Sequence, residues 1–206
     1  MVFSDYAFTN SPPLRVYRQL EKEYVDSFFK DGALYLKTFE DFATHNDASR
    51  CDPEEGKGIL RIHYNQYCME TKMGVGYDHL VLCTSLIDSG TALCDSYNSC
   101  FAIVDVEHFV QAVQKSLQNK YNANVFCMFG RCIYQDRLEL DVQGSRNDIQ
   151  NVPPSPDLCM KLSFLKREQY AWQNEYRFMF KIMGSQNQRS QLIYVPEAIQ
   201  FCERIR

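Results

Sequence analysis

The stretch QYAWQNEYRFMF, residues 169 to 180, narrows what this chain can become more than any other. With a period of two, Tyr176, Phe178 and Phe180 fall on one face, while Gln173, Glu175, Arg177 and Met179 fall on the other. Three aromatic rings in line demand a core behind them. The opposite face then carries an amide, a carboxylate and a guanidinium, so this strand is structural on one side and chemical on the other.

A second firm pattern follows Asp105, where Val106, Phe109, Val110, Val113 and Leu117 form a helical stripe. An earlier helix, from about Leu20 through Phe29, is predicted by Leu20, Tyr24, Val25, Phe28 and Phe29, with Gly32 as its stop. ALYLKTF, HLVLCTSL and CFAIVDV read as strands. In HLVLCTSL, Leu80, Leu82, Thr84 and Leu86 face the core, and His79, Val81, Cys83 and Ser85 face away. ANVFCMFGRCIYQ reads as one or two strands with a turn near Gly130. GILRIHYNQYCMETKMG fits strand or helix equally. EDFATHNDASRCDPEEGKG reads as a polar loop, Asp141 to Asp157 as the longest loop, LCMKLSFLKREQY as a short helix, and SQLIYVPEAIQFCERI as the closing segment. Only some strands are separated by helices. The expected architecture is therefore a single α+β domain over residues 1–206, largely antiparallel, with flanking helices.

Composition excludes more than it selects. With 45% hydrophobic and 23% charged residues the chain is not disordered, and 206 residues suffice for one substantial core. A net charge of -4 argues against a general nucleic-acid binder, which needs clustered Lys and Arg. No signal-like start or bilayer-length apolar run is present, so the expected location is cytoplasmic, with no membrane partner. Nine cysteines without a CxxC are expected to be mostly reduced thiols, and no metal site is expected from them or from His45, His63, His79 and His108.

Several candidate groupings dissolve on inspection. Cys83 and His79 lie about 13 Å apart along a strand, too far for a nucleophile and its base. GVGYD lacks the third glycine of a dinucleotide fingerprint, and NDASRCDPEE lacks the alternation and central glycine of a calcium loop. What remains is Gln173 with Glu175, Ser85, and the Arg15, Tyr17, Arg18 group. A carboxylate beside an amide suits a sugar hydroxyl and a cation-like ribose; guanidinium groups suit a diphosphate. Each also has a structural reading, as a solvated strand face, a backbone-bonded hydroxyl or a solvated cation.

Taken in order, YR at Tyr17 and Arg18, CTS at Cys83 to Ser85 and QNE at Gln173 to Glu175 resemble the Arg, Ser-Thr-Ser, Glu-x-Glu plan of the ADP-ribosyltransferase superfamily. The chain also resembles a bacterial domain family of poorly defined function at GALYLKTFEDF, HNDASRCDPEE, VLCTSL, SYNSCFAIVDVEHF and FLKREQYAWQNEYRF, spanning about Arg15 to Phe180. Cys83 stands in place of the first serine, and Cys94 lies ahead of Tyr97 where the related family often shows a Trp.

The resemblance implies an ADP-ribosyltransferase-like fold of two packed sheets with a cleft for NAD. It implies that Arg18 or Arg15, with Tyr17, meets the diphosphate, Ser85 the nicotinamide ribose, Glu175 the ribose hydroxyl at the breaking bond, and Gln173 the acceptor. Tyr97 or Tyr176 would stack on a ring. The implied activity is NAD-dependent ADP-ribosyl transfer to a protein or nucleic acid, or NAD hydrolysis, without metal, in the manner of a bacterial toxin or anti-phage effector. The alternative on the same fold is a non-catalytic module binding a nucleotide or a protein segment.

Overall fold

The aromatic strand and the amphipathic helix meet as their patterns require. In the computed structural model, which describes residues 12–44, 52–88, 97–146, 150, 160–185 and 188–206, helix α3 (Val106–Tyr121) buries its whole apolar stripe. It packs on the aromatic face of the strand spanning Glu175–Ile182. Asp105 caps the helix, accepting from the His108 backbone N–H at 3.2 Å.

In chain order the strands are β1 (Val16–Leu20), β2 (Ala33–Leu36), β3 (Lys57–Tyr64), β4 (Tyr67–Gly74), β5 (His79–Ser85), β6 (Ser99–Ile103), β7 (Val125–Arg131), β8 (Ile133–Gln135), β9 (Glu139–Gln143), β10 (Leu165–Arg167), β11 (Glu175–Ile182), β12 (Gln191–Tyr194) and β13 (Cys202–Arg204). Helices α1 (Lys22–Asp31) and α2 (Phe39–Ala43) join α3, and 3-10 turns cover Leu162–Phe164, Glu168–Gln173 and Pro196–Phe201.

A six-stranded, wholly antiparallel sheet in the order β13-β6-β1-β5-β11-β7 forms the centre. One face carries α1 and α3 over the main apolar core, which includes Phe28, Phe101, Phe109, Phe178 and Phe180. Burying rings of this size contributes about 2 kcal/mol each. Beyond the other face lie a three-stranded sheet, β4-β3-β9, and the pairing of β10 with β8, while the β12–β2 pair adds Leu34, Leu36 and Ile193 to the core on the helix side. The smaller apolar cluster of Leu60, Ile62, Leu140, Leu162 and Leu165 binds the three-stranded sheet to the 3-10 turn at Leu162–Phe164.

The molecule is thus an α+β fold with mostly antiparallel sheets; β3 with β9 and β10 with β8 are the parallel pairs. It differs from the sequence expectation in several places. Among the described residues four sheets, not two, are formed. The ambiguous segment is the β3–β4 hairpin, turned by Asn65 in the left-handed region (φ 53). Thr38 caps a short helix, α2, inside what reads as a polar loop. Gly130 lies within β7, paired with Arg177, so no turn occurs there. Residues 141–143 belong to β9, and of the expected helix LCMKLSFLKREQY, Met160 and Lys161 are helical while residues 162–170 form 3-10 turns around β10. The first helix ends where expected: Gly32 takes φ 76 and donates to the Phe28 carbonyl at 2.8 Å.

Among the described residues no helix is long and apolar enough to cross a membrane. Cys68, Cys83, Cys100, Cys127, Cys132 and Cys202 are all free thiols; the other three cysteines lie outside the described residues.

Candidate functional site

The central sheet parts beside β5. Along one side β5 pairs with β11 continuously, from Glu175↔Ser85 to Lys181↔His79. On its other side it meets β1 only at Tyr17↔Ser85, and Lys37 only at Val81. Cys83 sits between those two contacts. Its carbonyl, left without a strand partner there, accepts from Nη1 of Arg18 on β1.

A cavity of about 620 Å³ opens at this parting. Tyr17, Arg18, Gln173, Glu175, Ser85 and Tyr97 all line it. Residues that are far apart in the sequence are therefore neighbours, brought together by the antiparallel register of three strands. Tyr24, Tyr35, Phe42 and Trp172 supply further aromatic wall.

Two sequence candidates lie elsewhere. Arg15 forms an exposed ion pair with Glu203 at 2.7 Å, before β1 enters the sheet. Tyr176 points into the main core, 1% exposed, because it alternates with Glu175 along β11. Gln173 reaches the cavity by a different route from the one expected. It ends a 3-10 turn, and Asn174, in the left-handed region at φ 45, separates it from the strand. The amide and carboxylate are thus not neighbours on one strand face.

The Ser85 hydroxyl donates to the Gln173 carbonyl at 2.9 Å and accepts from the Ile87 backbone N–H at 3.2 Å. It fastens the turn bearing Gln173 to β5. The adjacent Thr84 hydroxyl likewise donates to the Tyr176 carbonyl at 2.7 Å.

Glu175 belongs to a buried group of four charges. Its Oε2 accepts from Lys166 Nζ at 2.6 Å, and its Oε1 accepts from Arg177 Nε at 2.8 Å. Arg177 Nη1 lies 2.9 Å from Glu55 Oε1, and Lys166 Nζ lies 3.6 Å from Glu55 Oε2. None of the four is more than 7% exposed. Arg177 also donates to the Ser163 carbonyl and packs its guanidinium over the Phe39 ring, 5.1 Å from the centroid. Gly56, at φ 71, lets the chain carrying Glu55 turn beneath that ring; a Cβ there would stand 2.5 Å from Phe39 Cδ2.

The charges divide unequally between the two acids. Burial pushes the Glu175 carboxyl up, but Arg177 and Lys166 outweigh it and hold the group well below the usual carboxylate range. For Glu55, burial prevails over Arg177 and Lys166, and its carboxyl is raised. The Lys166 ammonium, opposed by burial, is sustained by Glu175 and Glu55 and stays protonated. The Cys83 thiol is pushed up by burial first and by the Glu175 carboxylate second.

Sequence reasoning missed Lys166 and Glu55. Lys166 lay within an expected helix, and Glu55 in a loop read as structural. The available signal was Arg177: a guanidinium between Tyr176 and Phe178 on a buried strand requires charged partners, and one carboxylate two residues away does not satisfy five donors. Among the described residues, no group of three or more His, Cys, Asp or Glu side chains is arranged to hold a metal ion. No protein-family model, curated protein or solved structure matches this chain.

Proposed function

We propose that the cavity binds NAD and that the chain breaks its nicotinamide-ribose bond, passing ADP-ribose to a protein or nucleic acid acceptor or to water, on an ADP-ribosyltransferase-like fold. The observation that carries this reading is the convergence of Arg18, Gln173 and an ionised Glu175 on one cavity at the parting of β1 and β5. A carboxylate fixed in its charged form is suited to stabilise the cationic ribose as the bond lengthens. The aromatic walls suit flat rings, and Arg18, already oriented through Cys83, suits a diphosphate.

The buried charges support a site more than a scaffold. Ion pairs of this kind add little net stability over apolar packing, so their placement at a cavity argues for chemical use. Ser85 takes a supporting role in this reading, because its hydroxyl is engaged with backbone at Gln173 and Ile87. An effector role as a toxin or in phage defence would follow from such an activity.

The test is nicotinamide release from NAD by the purified chain. The unaltered protein releases nicotinamide, and Glu175→Gln, verified as folded by its thermal melt, loses about a hundredfold or more of the rate. A second reading, a nucleotide-binding module without turnover, is favoured by one fact: both Glu175 oxygens are already occupied, by Lys166 and Arg177. NAD binding without nicotinamide release would select it.

A further inference from the structure

Lys166 and Glu175 both line the cavity, whereas Glu55 stands behind them and does not. A ligand entering therefore meets a carboxylate whose Oε2 is already taken by an ammonium at 2.6 Å. The ammonium takes one lone pair and draws charge from that oxygen, so a sugar hydroxyl meets a crowded and weakened acceptor until the ammonium yields. The place for Lys166 to go is visible in the same cluster. Glu55 Oε2 is 3.6 Å from Lys166 Nζ, outside hydrogen-bond range. Glu55 Oε1, though close to Arg177, is buried without a hydrogen-bond partner. A buried carboxylate so poorly satisfied is a ready acceptor.

We propose that Lys166 is a positioning residue that passes its ammonium from Glu175 to Glu55 when a hydroxyl-bearing sugar enters, exposing Glu175 to the ligand while Arg177 keeps it in place. The proposal rests on the NAD reading for the identity of the sugar. The displacement is short, about an ångström. The four charges remain balanced throughout, two acids against two bases, so the exchange leaves no uncompensated charge in the interior. Arg177 bridges both carboxylates, through Nε to Glu175 and through Nη1 toward Glu55, and fixes the distance over which the ammonium moves.

The experiment is a two-residue cycle on the full chain, with NAD and ADP-ribose as probes, reading dissociation constants by calorimetry and nicotinamide release in parallel. Glu55→Gln takes away the receiving carboxylate and leaves Lys166 fixed on Glu175. Both probes are expected to bind about tenfold more weakly, because the binding-competent arrangement is less populated. The double variant Lys166→Met with Glu55→Gln loses one charge of each sign and so avoids the stranded carboxylate that Lys166→Met alone would leave. Its affinity is expected to return to that of the unaltered chain or to exceed it. Were the cluster merely a support, the double variant would bind no better than Glu55→Gln, and that outcome overturns the proposal. Binding with the expected pattern but without nicotinamide release supports the exchange and overturns only the cleavage reading. Absence of binding of both probes to the unaltered chain overturns both.

Discussion

The two faces of β11 differ in how they are held. On the α3 side, Tyr176, Phe178 and Phe180 sit among many apolar neighbours, each contact interchangeable with another. On the other side, Glu175 and Arg177 answer to named partners, Lys166 and Glu55, and to almost nothing else of their charge. Loss from the first face is graded with the volume removed. Loss from the second is abrupt, because one missing charge strands another in the interior.

The sharpest way to break that contrast is to compare one substitution on each face. Arg177→Met leaves Glu55 and Glu175 with Lys166 alone and is expected to cost about 3–5 kcal/mol in urea denaturation. Phe178→Leu, with the core free to close around a smaller side chain, is expected to cost about 1–2 kcal/mol. Equal costs would show that the charged side is packed rather than paired. Replacing Arg177 and Glu175 together by apolar residues should cost less than Arg177→Met, since no charge pair is then halved in the same way.

A smaller effect is expected at the far end of the same pairing, where His79 lies opposite Lys181. Its imidazole is 6% exposed and its pKa is pushed down by burial to about 4, although Asp78 Oδ1 lies 2.7 Å away. Asp78 also pairs with Lys181, so burial prevails over that single contact. The unfolded chain binds a proton at about pH 6.5 and the folded chain does not, so His79 stability is present above pH 6.5 and is lost as pH falls toward 4. The slope is at most about 1.4 kcal/mol per pH unit, and His79→Gln should flatten it in denaturation midpoints between pH 7 and 5. An unchanged slope would place the acid sensitivity elsewhere. The smallest effect is at Arg15. Its pair with Glu203 is solvated, so Arg15→Ala should leave stability and nicotinamide release unchanged, while Arg18→Ala weakens NAD binding.

This contrast also explains which parts were legible in the sequence. Apolar periodicity records burial directly, so β11, β5, α1 and α3 could be read from Phe, Leu and Val positions alone. Ion pairing leaves no periodic trace: Lys166 and Glu55 are 111 positions apart and acquire meaning only when β10 and the chain before β3 are folded against β11. Gln173 was readable as a cavity residue but not as the end of a turn, because the left-handed Asn174 interrupts the alternation without disturbing the residue types around it. The short 3-10 turns around β10 escaped for a related reason. Segments of three and six residues, wound at three residues per turn, have little room to display a period.

The single row joining β1 to β5 has a mechanical meaning. Strands β13, β6 and β1 form one plate and β5, β11 and β7 another, and the six-stranded sheet is two such plates meeting at Tyr17 and Ser85. A seam of that kind resists being pulled apart at one point but offers little opposition to torsion. Stiffness against twisting is left to the apolar mass beneath α1 and α3, on the side away from the buried charges. The width of the opening is therefore governed by that apolar mass, of which Phe28, Leu34 and Phe101 also line the cavity.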